Sequence, residues 1–477
     1  MTAQCIESSF QFQPLGNRDV VARFDGGDIT SDAGGLLLRK VEQRTGIVRQ
    51  FAACFQDRRK PELIEHTVKE LVAQRVYGLA LGYEDLNDHD QLRADPLLAM
   101  LAGKSDPKGE CRLHERDRGK ALAGKSTLNR LERTPENATA KQARYKKIVL
   151  DMEAADQLLV DLFFQAHARA PEHIVLDLDA TDDRIHGNQE GRFYHGYYGE
   201  YCYLPLYIFC GEFLLCARLR KSDTDASAGT VNELKRIIGQ IRRVWPRVPI
   251  LIRGDSGFCR DEIMSWCEEQ QLDYVFGLAK NDRLKADIAI EQAAAAAEYE
   301  QTKKAARVFK DFRYRTRDSW TRERRGPKGT PGKAEHLDKG ANPRFVVTSI
   351  APEGMDARAL YEDLYCARGE MENRIKEQQL DLFADRTSTA EMRSNQIRLY
   401  FSSIAYVFMQ ALRRLGLKGT EMEKAQCGTI RLKLLKIGAQ IRVTVRKVWI
   451  SLAQGYAYAS VFAQVFANLE EAEVPSG

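Results

Sequence analysis

Four carboxylates in this chain stand where phosphoryl-transfer chemistry would use them. In HIVLDLDAT, residues 173–181, an apolar run ends in two aspartates, Asp177 and Asp179. Side chains alternate across a strand, so Ile174, Leu176 and Leu178 take one face while Val175, Asp177 and Asp179 take the other. In ILIRGDSGF, Asp255 follows a second apolar strand, and Glu372 lies within the helical run DARALYEDLYCARGEMENRIKEQQL. Hard cations want oxygen ligands. Two of them about 4 Å apart can activate an attacking oxygen and stabilise a leaving one. Asp, Asp and Glu from separate elements therefore suit a two-magnesium site, with Asp177 and Asp179 rivals for the first position. Each also has a plainer use: an Asp at a strand end often caps a turn, and a Glu on a charged helix face is usually solvated.

The elements that must position these acids can be read from periodicity. Around Glu372, Leu360, Leu364, Ala367, Met371 and Ile375 form an apolar stripe at helical spacing. Tyr361, Tyr365, Arg368, Glu372, Lys376 and Gln379 form a second stripe beside it. Arg368 can hold a phosphate bidentately, or simply pair with Glu372 one turn on. The apolar runs YCYLPLYIFCG and EFLLCARLR predict a hairpin. The segment AGTVNELKRIIGQIRRVW predicts a helix, PILIRGDSGF a strand, DEIMSWCEEQQ a helix and LDYVFGLA a strand. Meandering strands followed by alternating helix and strand predict an α/β mixed sheet.

Five segments follow along the 477 residues: a helical region 1–165, a sheet region 166–281, a β-rich basic insertion 282–355, a second core part 356–415 carrying the Glu372 helix, and a helical region 416–477. A hydrophobic content of 44% suits packed domains, and a net charge of +5 is only mildly basic, so any polyanion surface must come from local clustering. Residues 303–344 supply one, with 14 Lys or Arg against 5 Asp or Glu. Within RTRDSWTRERR, Arg322, Arg324 and Arg325 flank Trp320, which either stacks on an unpaired base or anchors a small sheet. Ten scattered cysteines with no C-x-x-C pair, and an N-terminus without a signal-peptide pattern, predict a reducing cytoplasm. The apolar run between Arg398 and Arg413 is too short to cross a bilayer and predicts a buried helix instead.

One motif points elsewhere. GKALAGKS, residues 119–126, fits the phosphate-loop pattern. A working loop needs a buried strand before it, and the charged segment CRLHERDR stands there. A polar loop capping a helix is the better expectation, with Lys120 and Lys125 exposed and no nucleotide cofactor.

The ordered motifs resemble a DDE transposase of bacterial insertion sequences, in the group with an RNase H-like catalytic core. Tyr365, Arg368 and Glu372 match its Tyr-x2-Arg-x3-Glu-x6-Lys signature in register, and Gln379 replaces the final Lys. DLDATDDRIHGNQ, YHGYYGEYCYLPLYIFCG, LIRGDSGF and ENRIKEQQLDLFADRTS are similar to the subgroup named after insertion sequence thirteen-eighty, as is TSDAGGLLLRKVE with LALGYEDLNDHDQLRADP. The resemblance implies Asp179 of the Asp-x-Thr pattern, Asp255 and Glu372 as catalytic and metal-binding residues, with Asp177 the alternative first ligand. It implies two Mg2+ ions, replaceable by Mn2+, and DNA-phosphate contacts from Tyr365 and Arg368, with Lys376 standing in for the lysine that Gln379 replaces. It also implies a β-rich insertion over the site, double-stranded DNA as partner (terminal inverted repeats and target), and a homodimer on DNA. The location implied is the bacterial nucleoid in the cytoplasm, away from membranes. The activity implied is cut-and-paste transposition; a nuclease that cuts without joining, and a silent DNA-binding relic, are the alternatives.

Overall fold

The structure, a computed structural model, describes residues 9–135, 146–314 and 328–472. The chain forms two compact units. One comprises Met1–Leu158, Glu377–Ala384 and Tyr400–Val474; the other comprises Leu159–Lys376, Asp385–Leu399 and Pro475–Gly477.

The second unit is built on a nine-stranded mixed sheet. Its strands are β1 (Ile174–Ala180), β2 (Leu206–Cys210), β3 (Phe213–Arg218), β4 (Ile250–Gly254), β5 (Asp273–Leu278), β6 (Ala306–Tyr314), β7 (Lys328–Leu337) and β8 (Arg344–Thr348), with the short Gly340–Ala341 strand on β7. The order is β3-β2-β1-β4-β5-β8-β7-β6. β2 runs antiparallel to both β1 and β3, whereas β4 runs parallel to β1 and β5. The first five strands thus have the RNase H-like arrangement. The hairpin expected from the aromatic runs is β2–β3.

Alternation makes β1 two-faced. Ile174, Leu176 and Leu178 are buried in a core with Ile250 and Ile252 of β4. Leu234, Ile237 and Ile241 of α1 (Thr230–Val244) and Ile263 and Met264 of α2 (Asp261–Glu269) complete it. Burying each such side chain contributes about 1.5–3 kcal/mol. On the opposite face, Val275 and Val346 pack with Leu360 and Tyr361.

The β-rich insertion does not form a sheet of its own. β8 pairs antiparallel with β5, and β7 and β6 continue outward from it. An open β5 edge would leave a row of unpaired backbone groups, and this pairing satisfies them.

In the first unit, helix Val68–Ala80 starts at a capping box between Thr67 and Glu70, and Phe51 packs edge-on against Phe401. From Tyr400 on, the long helix Met392–Gly416 belongs to this unit and buries Phe401, Ile404, Phe408 and Leu412, as the apolar run predicts. No helix among the described residues is long and apolar enough to cross a membrane.

Two helical expectations are corrected in this unit. Residues 439–452 form a hairpin, Ala439–Val443 with Val448–Leu452, joined to Asp28–Thr30. The cause is period-two patterning: Ala439 and Ile441 are buried while Gln440 and Arg442 are exposed. Similarly, Ile148–Leu150 is a strand paired with Phe55–Asp57. The helix after it begins only at Met152, where the Asp151 carboxylate accepts from the Ala154 amide (3.0 Å).

Candidate active site

Asp177 and Asp179 project from the same face of β1 into different surroundings. Arg253 sits directly across from Asp177 in the β1–β4 ladder. Its guanidinium grips the Asp177 carboxylate with two hydrogen bonds, of 2.5 and 2.8 Å. Both residues are buried. The fork geometry uses both oxygens of Asp177, so this acid is committed to the sheet. Asp179, one pleat further, has no such partner; its Oδ1 accepts from the Ala180 amide at 3.0 Å.

Arg253 also donates to the Leu364 carbonyl. The chain there is not one uniform α-helix. A π-helical segment Leu360–Tyr365 runs into a 3-10 turn Cys366–Arg368 and then into α3 (Gly369–Leu382). The wide π turn and the tight 3-10 turn shift side-chain phase in opposite directions. Arg368 therefore still reaches Glu372 (2.7 Å), whereas Ala367, expected on the apolar stripe, is exposed.

Asp255 follows β4, and its Oδ1 accepts from the Gly257 amide (2.8 Å). Arg368 lies between Glu372 and Asp179, 3.8 Å from the latter. The Tyr365 hydroxyl lies over Gly277 of β5. A Cβ at Gly277 would stand 2.5 Å from that hydroxyl and 3.0 Å from the Ser256 amide nitrogen. Only glycine leaves this space. Gly277→Ala is expected to push Tyr365 off the sheet and destabilise the fold by about 1–3 kcal/mol. Urea midpoints of the two proteins check this; an unchanged midpoint would refute it.

The electrostatics follow from this placement. Burial pushes the Asp179 carboxyl up to about 7; Arg368 opposes the rise, and Asp255 and Glu372 add to it. Burial works against the charge on Arg368, but Asp179, Tyr365, Glu372 and Asp255 together hold its pKa above the ordinary value. Burial and Asp255 also raise the Tyr365 hydroxyl, with Arg368 acting the other way.

The sign for stability is direct. A carboxyl that binds its proton more tightly folded than unfolded adds stability at low pH. That contribution is lost as pH rises from the unfolded value, about 3.9, through about 7. In EDTA, urea midpoints are expected to fall across this window, and to fall less in Asp179→Asn.

The acids supply oxygen donors only, suited to Mg2+ or Mn2+, and their mutual repulsion is what a divalent cation relieves. Among the described residues no three His, Cys, Asp or Glu side chains converge closely enough to hold one ion. Arg368 takes up the charge of Glu372 instead, as an i,i+4 ion pair. The donor chemistry fits a hard cation once that pair opens.

Of the other sequence candidates, Lys376 is exposed one turn from Glu372, and Gln379 is half-buried further along α3. Trp320, Arg322, Arg324 and Arg325 lie outside the described residues. Several cations of the basic stretch are paired internally. Arg307 and Lys333 share Glu335 (2.7 and 2.8 Å), and Lys310 meets Glu291 (3.1 Å).

The phosphate-loop motif is a capped helix. No strand leads into Lys125–Glu132; a 3-10 turn at Glu115–Asp117 precedes it. Asp90 accepts from the Lys125 amide (3.0 Å), and Lys125 Nζ donates to Asn87 (2.9 Å). A carboxylate of the chain itself already occupies the place where an anion would bind.

Sequence reasoning missed Arg253 and Gly277. The arginine was visible two residues before Asp255, but its partner is 76 positions away. The signal for Gly277 was a lone glycine inside a strand pattern.

Comparison with known proteins adds three findings. The family described as Transposase DDE domain group 1 matches residues 12–474. No curated protein matches. A solved structure, the piggyBac transposase synaptic complex with hairpin DNA, aligns with a TM-score of 0.37 at 12% identity, covering 85% of this chain and 80% of that chain.

Proposed function

The chain belongs to the transposase DDE domain group 1 family, and on that footing we propose that it cuts DNA at terminal inverted repeats and joins the freed ends to target DNA, by cut-and-paste. In this reading Asp179, Asp255 and Glu372 are the catalytic acids and would hold two Mg2+ ions, or Mn2+. When bound, the cations would activate the attacking oxygen and stabilise the leaving one. Arg368 leaves Glu372 and pairs with a DNA phosphate, with Tyr365 beside it. Lys376 and Gln379 extend that contact along α3. Asp177 is a positioning residue held by Arg253.

The observation that carries this reading is the convergence of Asp179 and Glu372 on one guanidinium: Arg368 lies 3.8 Å from the first and 2.7 Å from the second. Asp255 and Glu372 both add to the raised Asp179 carboxyl, and acids that face one another gain most from a doubly charged cation.

The wider reading keeps the subgroup named after insertion sequence thirteen-eighty and gives the helical region 1–165 to recognition of the inverted repeats. The basic stretch, Arg322, Arg324, Arg325 and Trp320 included, is assigned to the DNA backbone and its bases. A homodimer would synapse the two ends, in the bacterial nucleoid. The test is labelled DNA ending in the inverted repeat that flanks the gene, incubated with Mg2+ or with EDTA. Nicking and joining at the repeat end in Mg2+ alone is the expected result. Cutting without joining would make the protein a nuclease. Tight, metal-independent binding without cutting would make it a relic.

A further inference from the structure

Between β1 and β2 the chain forms a small antiparallel sheet from Asp183–Arg184, Phe193–His195 and Glu200–Tyr203. Cys202 and Tyr203 are buried and pin it down. Its outer side is a row of rings that the catalytic reading does not use. Tyr194 and Tyr201 are direct cross-strand partners, with ring centroids 5.6 Å apart. They are 59% and 45% exposed, and Tyr197 in the connecting turn is 86% exposed. Tyr197 meets Tyr198 edge-on at 5.0 Å. The Arg192 guanidinium lies 4.7 Å from the Tyr201 ring centre.

Leaving three tyrosines open to water next to a buried core is unfavourable unless something covers them. We propose that this row is a stacking platform for unpaired bases of a DNA strand passing the catalytic acids. The inference rests on the transposase reading and extends it to the state of the DNA at the cut.

Three observations select this occupant. The patch adjoins the acids in the chain: the strand that carries Asp179 ends at Ala180, and Asp183 and Arg184, just beyond it, pair with Tyr203 and Cys202 of the small sheet. It presents cations to a polyanion: Arg192 is stacked on it, and Lys221 lies beside Gly191, its Cγ 3.1 Å from where a Cβ there would be. Of the acids in the same segment, Glu190 is held by the Met392 amide (3.0 Å) and Glu200 pairs with Arg184. Finally, bases in a duplex already stack on each other, so a row of rings has more to gain from a strand that is locally open.

The test uses the full-length protein, fluorescein-labelled oligothymidylate and a labelled duplex of the same length, with affinities from anisotropy at fixed salt. Replacing Tyr194, Tyr197 and Tyr201 together by Ser is expected to weaken single-strand binding roughly tenfold and to leave duplex binding unchanged. The matching triple Phe variant keeps the rings and is expected to bind like the wild type. Tyr197→Ser alone guards against misfolding, since that side chain is mostly in water; it should lose a smaller share of single-strand affinity only.

Equal loss on both DNA forms would overturn the platform, as would unchanged single-strand affinity. If the triple Ser variant keeps its single-strand affinity but dissociates into monomers in sedimentation, the rings are a contact between copies of the chain. A wild-type protein that binds neither DNA sinks the transposase reading as well. One that cuts repeat-end duplex while the ring variants behave normally sinks the platform alone.

Discussion

On the proposed reading, Asp255→Asn is expected to abolish metal-dependent cleavage at the repeat end, with a fall of roughly a thousandfold or more, while the protein stays folded. Losing one carboxylate ligand would remove several kcal/mol of charge stabilisation in the transition state, and about 4 kcal/mol corresponds to that factor. The substitution is clean because the structural duty of Asp255 is to accept a hydrogen bond from the Gly257 amide. An asparagine oxygen accepts the same bond, so the turn after β4 survives and the charge alone is lost. A second readout is independent of catalysis. Asp255 is one of the charges that raise Asp179, so Asp179 in this variant should titrate lower. An NMR titration of the carboxyl carbons in EDTA measures that shift. Cleavage within tenfold of the wild type would remove Asp255 from the catalytic set.

Arg253→Ala should have the largest effect on stability, about 3–5 kcal/mol, because it strands the Asp177 carboxylate in the sheet without its partner. It also deprives the Leu364 carbonyl of its donor. Replacing the pair together, as Asp177→Leu with Arg253→Met, removes both buried charges and should restore much of the stability. It should not restore cleavage. The pair ties β1 to β4, and Arg253 ties both to the π-helical segment that leads into Tyr365, Arg368 and Glu372. Those are the elements that carry the three acids. Urea midpoints with single-turnover rates separate the two effects. A double variant that cuts as fast as the wild type would show that the pair holds only the fold.

Much of this architecture is legible in the sequence because the physics is local. The alternation in HIVLDLDAT specifies which residues face the core, and the amphipathic run from Thr230 specifies α1. That Asp177 and Asp179 share a face follows from the pleat. That they differ in surroundings does not, because the difference is made by Arg253 on another strand. The break in helical phase between Leu360 and Arg368 is also hidden, since π, 3-10 and α turns share similar residue preferences. Strand partners are equally non-local: the segment 282–355 reads as β-rich, but nothing in it says that its strands extend the sheet of β5. In Ala439–Leu452 the alternation was present, and the helical texture of the neighbouring residues masked it.

The seam between β5 and β8 bears on how such a chain can evolve. Val275–Leu278 and Phe345–Thr348 share one ladder, so the strand that carries Gly277 has no bare edge. Excising 282–355 would not return a smaller ancestral core. It would expose a run of β-branched and aromatic backbone able to recruit the same edge of another molecule. A chain without this segment would therefore need a replacement strand along β5 to leave that edge covered.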